Sequence, residues 1–389
     1  MRFKVLTLND ISVKGLDRLP RDRYVVGSEI GHPDAILVRS ADMHAMQIPA
    51  GVLAVGRAGA GTNNIPVAQL TGRGVPVFTA PGANANAVKE LVLAGLFVAA
   101  RHLCEAWDFV RGLKFEGDAL EAAVEQGKKR FIGHELPGRT LGVVGLGAIG
   151  VEVANAAHLL GMRVLGYDPQ ITVQRAWQLS SGVEQALSLD DLFTRSDAVT
   201  VHVPLTDETR ALVNGARLRL MQDGSTVLNF ARADIVDEAA VIAALESGKL
   251  SAYVCDFPSP EIKNRPGVVA LPHLGASTSE AEENCAMMVA DTLRDFLEHG
   301  NIRHSVNFPE ASLPRVPATS RLAIANSNVP NMVGQISTCL AEAGLNIADL
   351  LNKSKGEVAY TLIDIDGQVP AGLVERIGRI DGVLSARAV

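Results

Sequence analysis

The stretch LGVVGLGAIG, residues 141–150, predicts the local fold around which the middle of the sequence is organised. A short apolar run leads into three glycines, and the following VEVANAAHLLG, residues 151–161, has apolar residues at helical spacing. Gly145 permits a tight turn, Gly147 lets the backbone approach a pyrophosphate, and Gly150 allows a helix to lie close to the strand. The free amides of the first helical turn then face the anion. The pattern predicts a strand, a phosphate-binding turn and a helix.

The next predicted strand, RVLGY at residues 163–167, ends at Asp168, 18 residues after Gly150. A carboxylate at this position can accept hydrogen bonds from the 2′ and 3′ hydroxyls of a ribose. A 2′-phosphate about 4 Å away would cost on the order of 4 kcal/mol at an effective dielectric constant of about 20. Pro169 follows, so no neighbouring arginine reverses this preference. The spacing therefore predicts a site for NAD rather than NADP.

Length and charge exclude several classes of protein. The chain has 389 residues, of which 47% are hydrophobic, so it can form more than one buried core and is not disordered. With 36 basic against 43 acidic residues, it lacks the basic excess that nucleic-acid binding requires. The most apolar run, residues 91–100, is half the ~20 residues of a membrane-spanning helix. We expect no nucleic acid, no membrane span and no export signal.

The four cysteines are far apart in the sequence and form neither a CxxC pair nor a Cys/His metal pattern. The sequence therefore predicts no metal site. We expect reduced core thiols in a cytoplasmic protein, at Cys104, Cys255, Cys285 and Cys339.

Short apolar strands alternate with helical patterns in two successive series, which is typical of doubly wound parallel α/β sheets. A helix that is apolar on nearly every face, residues 84–101, precedes the second series, which starts at LGVVG. The other predicted strands are residues 3–8, 35–39, 52–56, 75–78, 163–167, 198–203, 226–230, 252–256 and 267–271.

The end of the chain has a different pattern. A long amphipathic helix is predicted at residues 277–299, and Pro309, Pro314 and Pro317 then predict a linker, because they cannot continue a helix or a central strand. From Ala318 the order is βαββαβ, as in a ferredoxin-like fold. The predicted domains are a flavodoxin-like α/β domain at 1–83 with 276–317, a Rossmann domain at 84–275, and a small βαββαβ domain at 318–389.

Polar residues follow three further strands of the second series, and ligands of open α/β sheets bind outside the carboxyl ends of the strands. They are Arg232 in LNFARADIVDE, Asp256 and Glu261 in YVCDFPSPE, and His273 in LPHLGAST. Together with HVPLTDETRALV at residues 202–213 and the glycine turn, these motifs resemble the D-isomer-specific 2-hydroxyacid dehydrogenases. The resemblance covers essentially the whole chain and has the motifs in family order.

The resemblance implies that Arg232, Glu261 and His273 act on the substrate, and the chemistry suits each role. A histidine has a pKa near the operating pH and can take the hydroxyl proton when a 2-hydroxy acid is oxidised. A carboxylate on its other ring nitrogen, the role implied for Glu261, orients the ring and raises its basicity. The planar fork of Arg232 can hold the substrate carboxylate and carbonyl oxygen.

Asp256 is implied to bind the nicotinamide carboxamide. The family commonly has Asp-Val-Phe-x-x-Glu-Pro, whereas here Phe257 and Pro258 follow the aspartate and Ile262 follows the glutamate. The offset of Glu261 is kept and the proline after it is lost. The implied cofactor contacts are Gly145, Gly147, Ala148, Ile149, Gly150, Asp168, His202, Val203, Pro204, Thr209, Ala231, Arg232, Asp256, His273 and Gly275.

The first domain carries three motifs, LVRSADMH, VGRAGAGTNN and PGANANAVKELV, that resemble the phosphoglycerate dehydrogenase branch of the family. The branch implies that the Arg-Ser pair and the asparagine of the third motif contact substrate. An arginine beside a hydroxyl suits a phosphate, and the backbone amides around Ala58, Gly59 and Ala60 of the second motif could receive a carboxylate in a small nest. The predicted substrate contacts are Arg39, Ser40, Ala58, Gly59, Asn84, Arg232 and His273.

The last domain resembles an ACT domain, a regulatory module that binds amino acids at subunit interfaces. In serine-sensitive members a His-x-Asn-x-Pro-Gly loop and a later asparagine hold the effector. Here Asn326 replaces the histidine, Asn328 and Asn346 are kept, and Asn331 replaces the glycine. Two alternatives stay open: a module that only pairs subunits, or one that binds L-serine through these asparagines. Pairing would make the protein a homodimer or homotetramer.

The expected activity is NAD-dependent oxidation of 3-phospho-D-glycerate to 3-phosphooxypyruvate, which leads to serine. One alternative is a related dehydrogenase acting on glyoxylate, hydroxypyruvate or 2-oxoglutarate, since that needs only a different pocket in the first domain. The other is an NADH-sensing transcriptional corepressor, because some members of the superfamily keep the fold and the catalytic residues without being enzymes.

Overall fold

The computed structural model describes residues 2–316 and 319–389. The chain divides into two compact units, Met1–Ala83 with Ser279–Val389, and Asn84–Thr278. Pro317 and Ala318, where the linker was predicted to end and the small domain to begin, lie outside the described residues, and the division into three domains stays a prediction.

A five-stranded parallel sheet forms the first part of unit one, in the order β2-β1-β3-β4-β5. This is the flavodoxin-like order that the sequence predicted. Its elements are β1 (Phe3–Leu8), α1 (Val13–Leu16), β2 (Tyr24–Gly27), β3 (Ala35–Val38), β4 (Ala54–Arg57), α2 (Val67–Gly72) and β5 (Val77–Phe78).

Unit two contains a seven-stranded parallel sheet in the order β12-β11-β10-β9-β6-β7-β8, the doubly wound order of a dinucleotide-binding domain with one strand added. The elements are α3 (Ala85–Arg101), α4 (Leu103–Gly112), α5 (Gly117–Gly127), β6 (Thr140–Val144), α6 (Ala148–Leu159), β7 (Arg163–Tyr167), α7 (Val173–Ala176), β8 (Val183–Gln185), α8 (Leu189–Arg195), β9 (Ala198–Val201), α9 (Gly215–Leu220), β10 (Ser225–Asn229), α10 (Glu238–Glu246), β11 (Leu250–Cys255) and β12 (Val268–Ala270).

The rest of unit one is a long helix followed by a four-stranded antiparallel sheet in the order β14-β15-β13-β16. The element order is the predicted βαββαβ. The elements are α11 (Ser279–His299), β13 (Thr319–Ser327), α12 (Met332–Glu342), β14 (Ile347–Lys355), β15 (Val358–Asp366), α13 (Leu373–Gly378) and β16 (Val383–Ala388).

The segment predicted as a linker is packed rather than free. Within residues 300–316 no helix or strand forms, apart from isolated bridges that join Ile302 to Ala311 and Ser305 to Phe78. Phe308 and Leu313 are nonetheless buried in the core that the antiparallel sheet shares with α11. The prolines prevent regular structure, but the apolar residues between them still bury their side chains, because burial stabilises the fold whatever the backbone conformation.

A buried ion pair fixes the antiparallel sheet to the end of α11. The side chains of Arg321 and Asp364 are both fully buried and form two parallel hydrogen bonds, of 2.6 and 2.7 Å. Arg321 also donates to the carbonyl oxygens of His299, Leu313 and Pro314. The guanidinium thus satisfies carbonyls that the helix end and the packed segment leave without partners.

The cysteines are free, and one differs from the prediction. Cys255, Cys285 and Cys339 are buried, as predicted for core thiols, whereas Cys104 is exposed. Cys104 lies on α4, a helix with no buried residues, so its position in the fold and not its residue type decides its exposure.

Candidate active site

The glycine turn of unit two has the predicted backbone. Gly145 has a φ of 89°, and a Cβ there would lie 2.7 Å from the carbonyl oxygen of His202. A Cβ on Gly150 would lie 1.9 Å from the carbonyl oxygen of Gly145, so only glycine lets α6 approach the turn this closely. A Cβ on Gly147 would meet nothing within 4 Å. The turn and the first residues of α6, Ala148 and Ile149, therefore leave the helix N-terminus open to an anion.

Asp168 lies beside this turn. Its Oδ2 accepts a 2.8 Å hydrogen bond from the Leu146 amide, and its Oδ1 accepts one of 2.8 Å from the Gln170 amide. These bonds fix the carboxylate at the end of β7, while each oxygen keeps a lone pair for a hydroxyl donor. The geometry supports the predicted ribose contact.

Asp256 follows β11 and is fully buried. Its Oδ2 accepts a 3.0 Å hydrogen bond from the Gly275 amide, so it holds the loop that carries His273. Burial raises the pKa of Asp256, although the Gly275 amide and the nearby His273 oppose the shift. Its Oδ1 is buried with no partner in the part of the chain that the structure describes. An unpaired buried acceptor of this kind calls for a donor from a bound group.

His202, in the HVP motif after β9, is neutral. Its Nε2 lies 3.0 Å from the Thr200 hydroxyl, and its Nδ1 is buried without a partner among the described residues. Burial lowers the pKa of His202 to about 3. Thr209 closes the same loop, with its hydroxyl 2.6 Å from the Pro204 carbonyl oxygen. This environment suits a neutral imidazole that lines a binding site and disfavours a charged one.

Arg232 is exposed on the loop after β10, which is fixed by a residue that the sequence analysis did not single out. The fully buried Asn229 donates to the Arg232 carbonyl oxygen at 2.9 Å and accepts from the Ala231 amide at 3.1 Å. Within the described part of the chain, the Arg232 guanidinium donates to the Ala231 carbonyl oxygen alone. Most of its donors therefore remain free for a carboxylate. Asn229 could have been identified from the sequence, because it is a polar residue at the end of an otherwise apolar strand.

His273 is exposed and packs against Phe257, with ring centroids 5.0 Å apart. Glu261 is exposed too, and across residues 2–316 and 319–389 no hydrogen bond or ion pair joins it to His273. The backbone oxygen of Glu261 instead accepts from Arg265 at 2.8 Å. The structure thus places His273 beside Asp256 and Phe257, and the contact of Glu261 with its imidazole stays a prediction.

The predicted phosphate residue of unit one already has an anionic partner. Arg39 forms an ion pair with Glu282, which lies near the start of α11, and both side chains are partly exposed. Ser40 is exposed, and its amide donates to Asn9 at 3.1 Å. Solvent screens an exposed pair of this kind, so a phosphate can replace Glu282 as the partner of Arg39 at modest cost.

Two of the three predicted nest amides are used by the chain itself. The Ala58 amide donates to the Val38 carbonyl oxygen and the Gly59 amide to that of Arg57, both at 2.8 Å. Ala60 is the remaining amide of the nest. Asn84, the predicted contact in unit two, precedes α3, and its side chain makes no capping hydrogen bond. Among the described residues, the side-chain amide of Asn84 has no hydrogen-bond partner.

One predicted effector residue is buried. Asn326 lies in β13, and its side chain donates to the Ser327 carbonyl oxygen. Asn328 and Asn346 are exposed, but they lie beside opposite ends of β15, near Gly356 and Asp366 respectively. Eight residue steps of a strand separate these ends by about 27 Å. Within one copy, the two side chains cannot hold the same small molecule.

Among the described residues, no helix is both long and apolar enough to cross a membrane. The same residues contain no group of three or more His, Cys, Asp or Glu side chains placed to hold a metal ion.

Comparison with known proteins agrees with this geometry. Residues 93–275 match the family model "D-isomer specific 2-hydroxyacid dehydrogenase, NAD binding domain". The chain is 32% identical to D-3-phosphoglycerate dehydrogenase of Haemophilus influenzae, over 87% of this chain and 81% of that protein. The chain belongs to the D-isomer specific 2-hydroxyacid dehydrogenase family.

Two other similar proteins differ in the fraction of their own length that this chain covers. It is 36% identical to D-3-phosphoglycerate dehydrogenase of Archaeoglobus fulgidus over 79% of this chain, but it spans only 60% of that protein's length. Among solved structures, D-mandelate dehydrogenase of Rhodotorula graminis has a TM-score of 0.67 and 25% identity, covering 81% of this chain and all of the other. The two parallel α/β sheets are thus those of the 2-hydroxyacid dehydrogenases.

NAD is the cofactor of this family's nucleotide domain, and the residues of unit two fit it. The glycine turn can receive a pyrophosphate, and Asp168 is fixed where a ribose hydroxyl can donate to it. The Oδ1 of Asp256, which has no partner among the described residues, could accept from the carboxamide N–H of nicotinamide. These separate features support the same cofactor.

Proposed function

We propose that the protein oxidises 3-phospho-D-glycerate to 3-phosphooxypyruvate with NAD, the first step from that acid towards L-serine. The assignment of the substrate rests on the extent of similarity to the Haemophilus influenzae enzyme. The similar region covers 87% of this chain and therefore includes residues of unit one as well as unit two. A match confined to the nucleotide domain would have identified the cofactor alone.

The residues of unit two supply the proton chemistry. NAD, when bound, accepts the hydride that leaves C2 of the substrate. His273 accepts the hydroxyl proton, and its exposed imidazole, supported on one side by Phe257, is accessible for this. Arg232 holds the carboxylate with a guanidinium whose donors the chain leaves largely free. Glu261 orients the imidazole once substrate is bound, because hydrogen bonds of this kind are often completed only in the complex.

Arg39 is the proposed phosphate ligand, and Glu282 is its competitor. Arg39→Ala is expected to lower kcat/KM for 3-phospho-D-glycerate by about 10-fold to 100-fold, the value of a charge-assisted hydrogen bond. Activity with unphosphorylated acids such as hydroxypyruvate should change little. Glu282→Gln should lower KM for the phosphorylated substrate, because the carboxylate no longer competes for Arg39.

Steady-state kinetics with both classes of substrate measure these effects. Glu283→Gln is the matched control, since Glu283 is the next residue of α11 and pairs with Lys14 instead. Equal losses on both substrates in Arg39→Ala would show that Arg39 does not recognise the phosphate.

A corepressor is the second function with the same fold. Formation of NADH from NAD and 3-phospho-D-glycerate, with the ketone product trapped chemically, separates the two. Turnover supports the enzyme, and NADH binding without turnover on any 2-hydroxy acid supports the sensor.

The proposed assembly is a homo-oligomer, at least a dimer. The helices α4 and α5 and the residues beside them carry a row of exposed apolar side chains that includes Trp107, Phe115 and Ile132, exposed by 63, 55 and 78%. Acidic residues lie along α5, and Lys128, Lys129 and Arg130 follow it. A surface with both charges beside apolar residues can pair with a second copy of itself.

L-serine is the proposed effector, bound by Asn328 of one copy and Asn346 of another. The separation of these residues within one chain requires two copies. Calorimetry on the intact protein is expected to give saturable binding of L-serine that is lost in Asn346→Ala, together with lower turnover. Absence of both heat and inhibition at millimolar serine would leave the module a purely structural role.

The proposed location is the cytoplasm, because the three buried free thiols fit a reducing compartment.

A further inference from the structure

A cavity that is separate from the candidate active site lies within unit one, between the parallel sheet and the antiparallel sheet. It has a volume of about 210 Å³, and its polar lining consists of Arg73, Tyr360, Ser385 and Arg387. The remaining lining is apolar and includes Phe296 of α11, and none of the lining residues is acidic. None of these residues belongs to the site proposed for the dehydrogenase reaction.

Arg387 is held in place by the end of α11. Its guanidinium donates to the carbonyl oxygens of Phe296 and Leu297, the latter at 3.1 Å, and lies 4.5 Å from the centre of the Phe296 ring. Burial lowers the pKa of Arg387, although the neighbouring Tyr360 side chain opposes the shift. In the part of the chain that the structure describes, no carboxylate forms an ion pair with it.

Arg73 approaches the cavity from the parallel sheet. It donates to the carbonyl oxygens of Ile48 and Pro49, at 3.1 and 2.6 Å. Over residues 2–316 and 319–389, Arg73 likewise has no carboxylate partner. The cavity therefore holds two guanidinium charges with no counter-charge, in a protein whose net charge is −7. Partly buried charges are ordinarily paired.

We propose that this cavity binds a small anion, a phosphate or a short carboxylate, between Arg73 and Arg387. Each guanidinium has five N–H donors, and carbonyl oxygens take two of them here. The hydroxyl of Ser385 already donates to the Gly74 carbonyl oxygen, so the remaining guanidinium N–H groups are the donors that can surround an anion. A bound anion would bridge Arg73, which follows α2, and Arg387 of β16 within unit one.

The size of the cavity limits the ligand. Sites for nucleotides and other drug-sized molecules are typically about 300–1,000 Å³, larger than the 210 Å³ measured here. Planar carboxylates and tetrahedral phosphates also match the fork of a guanidinium. Inorganic phosphate is therefore a suitable probe for the whole class.

Titration calorimetry of the full-length protein tests the proposal, with sodium phosphate compared with sodium chloride at equal ionic strength. We expect saturable phosphate binding that Arg73→Gln weakens by about 10-fold to 100-fold, the value of a charge-assisted hydrogen bond. Arg219→Gln, at an exposed arginine of unit two, removes the same charge and should leave binding unchanged.

Phosphate could also bind at Arg39, so the titration is repeated with Arg39→Ala. The binding that depends on Arg73 must persist in this variant. Arg387→Gln provides a second test, but it also removes hydrogen bonds to the end of α11, so Arg73→Gln decides. Phosphate binding that is identical in the unsubstituted protein and Arg73→Gln, or no binding beyond that of chloride, would overturn the proposal. Neither result would affect the proposed dehydrogenase activity, because Arg73 takes no part in it.

Discussion

Replacing His273 by alanine is expected to lower kcat/KM for the oxidised acid by about 10²-fold to 10⁴-fold, the usual cost of removing a general base. The fold should survive, because the imidazole is exposed and packs against Phe257 at the surface. Binding of NADH, followed by fluorescence, should persist, since the glycine turn and Asp168 are untouched. Steady-state rates at several pH values measure the effect.

His32→Ala is the matched control, because His32 is an exposed histidine of unit one with no role in the proposed reaction. It should keep the full rate. Glu261→Gln should shift the acidic limb of the pH profile if its carboxylate orients His273 in the complex. A His273→Ala variant within a factor of about 10 of the unsubstituted protein would be inconsistent with general-base catalysis by this residue.

Breaking the buried pair of Arg321 and Asp364 should cost about 3–5 kcal/mol of unfolding free energy, because the remaining partner stays buried and uncompensated. Asp364→Asn keeps the volume and removes the negative charge. Arg321→Met removes the positive charge and leaves the carboxylate unpaired. Urea unfolding followed by circular dichroism measures the loss. The double variant Arg321→Met/Asp364→Leu should recover only part of it, because it removes the unpaired charge but leaves the carbonyl oxygens of His299, Leu313 and Pro314 without their donor.

The exposed pair of Arg376 and Glu342 on the same small domain is the control, and Glu342→Gln should change stability by about 1 kcal/mol at most. Similar losses in Glu342→Gln and Asp364→Asn would contradict the role assigned to the buried pair.

The same pair predicts how acid affects the protein. Burial alone would raise the pKa of Asp364, but hydrogen bonds from Arg321 and the Val316 amide outweigh it and hold the pKa below its ordinary value. The unfolded carboxyl therefore binds protons at a higher pH than the folded one. The stabilisation is complete above the unfolded pKa of about 3.9 and is lost as the pH falls through the lower folded value.

The nucleotide site could be predicted from sequence because its features are local. Three glycines with fixed spacing and one carboxylate at the next strand end specify their own geometry, and Gly145 and Gly150 are confirmed as positions where a side chain would clash. The βαββαβ order was likewise set by alternation within single segments. Two short strands were missed, β2 and β8, since neither has a run of buried residues long enough to mark it.

Features that depend on distant partners could not be predicted. The proline-rich segment gave no sign that Phe308 would be buried, because its partners lie elsewhere in unit one. The burial of Asn326 depends on strand pairing in a sheet whose order is not local. The pairing of Arg39 with Glu282 joins residues 243 positions apart. In each case the residue type was evident and its neighbours were not.

The most direct test of the account is initial-rate kinetics with a panel of 2-hydroxy and 2-oxo acids, each measured with NAD(H) and NADP(H). The account predicts the highest kcat/KM for 3-phospho-D-glycerate with NAD, and strong discrimination against NADP because of Asp168. Higher efficiency with glyoxylate, hydroxypyruvate or 2-oxoglutarate than with the phosphorylated acid, or equal efficiency with both cofactors, would contradict it.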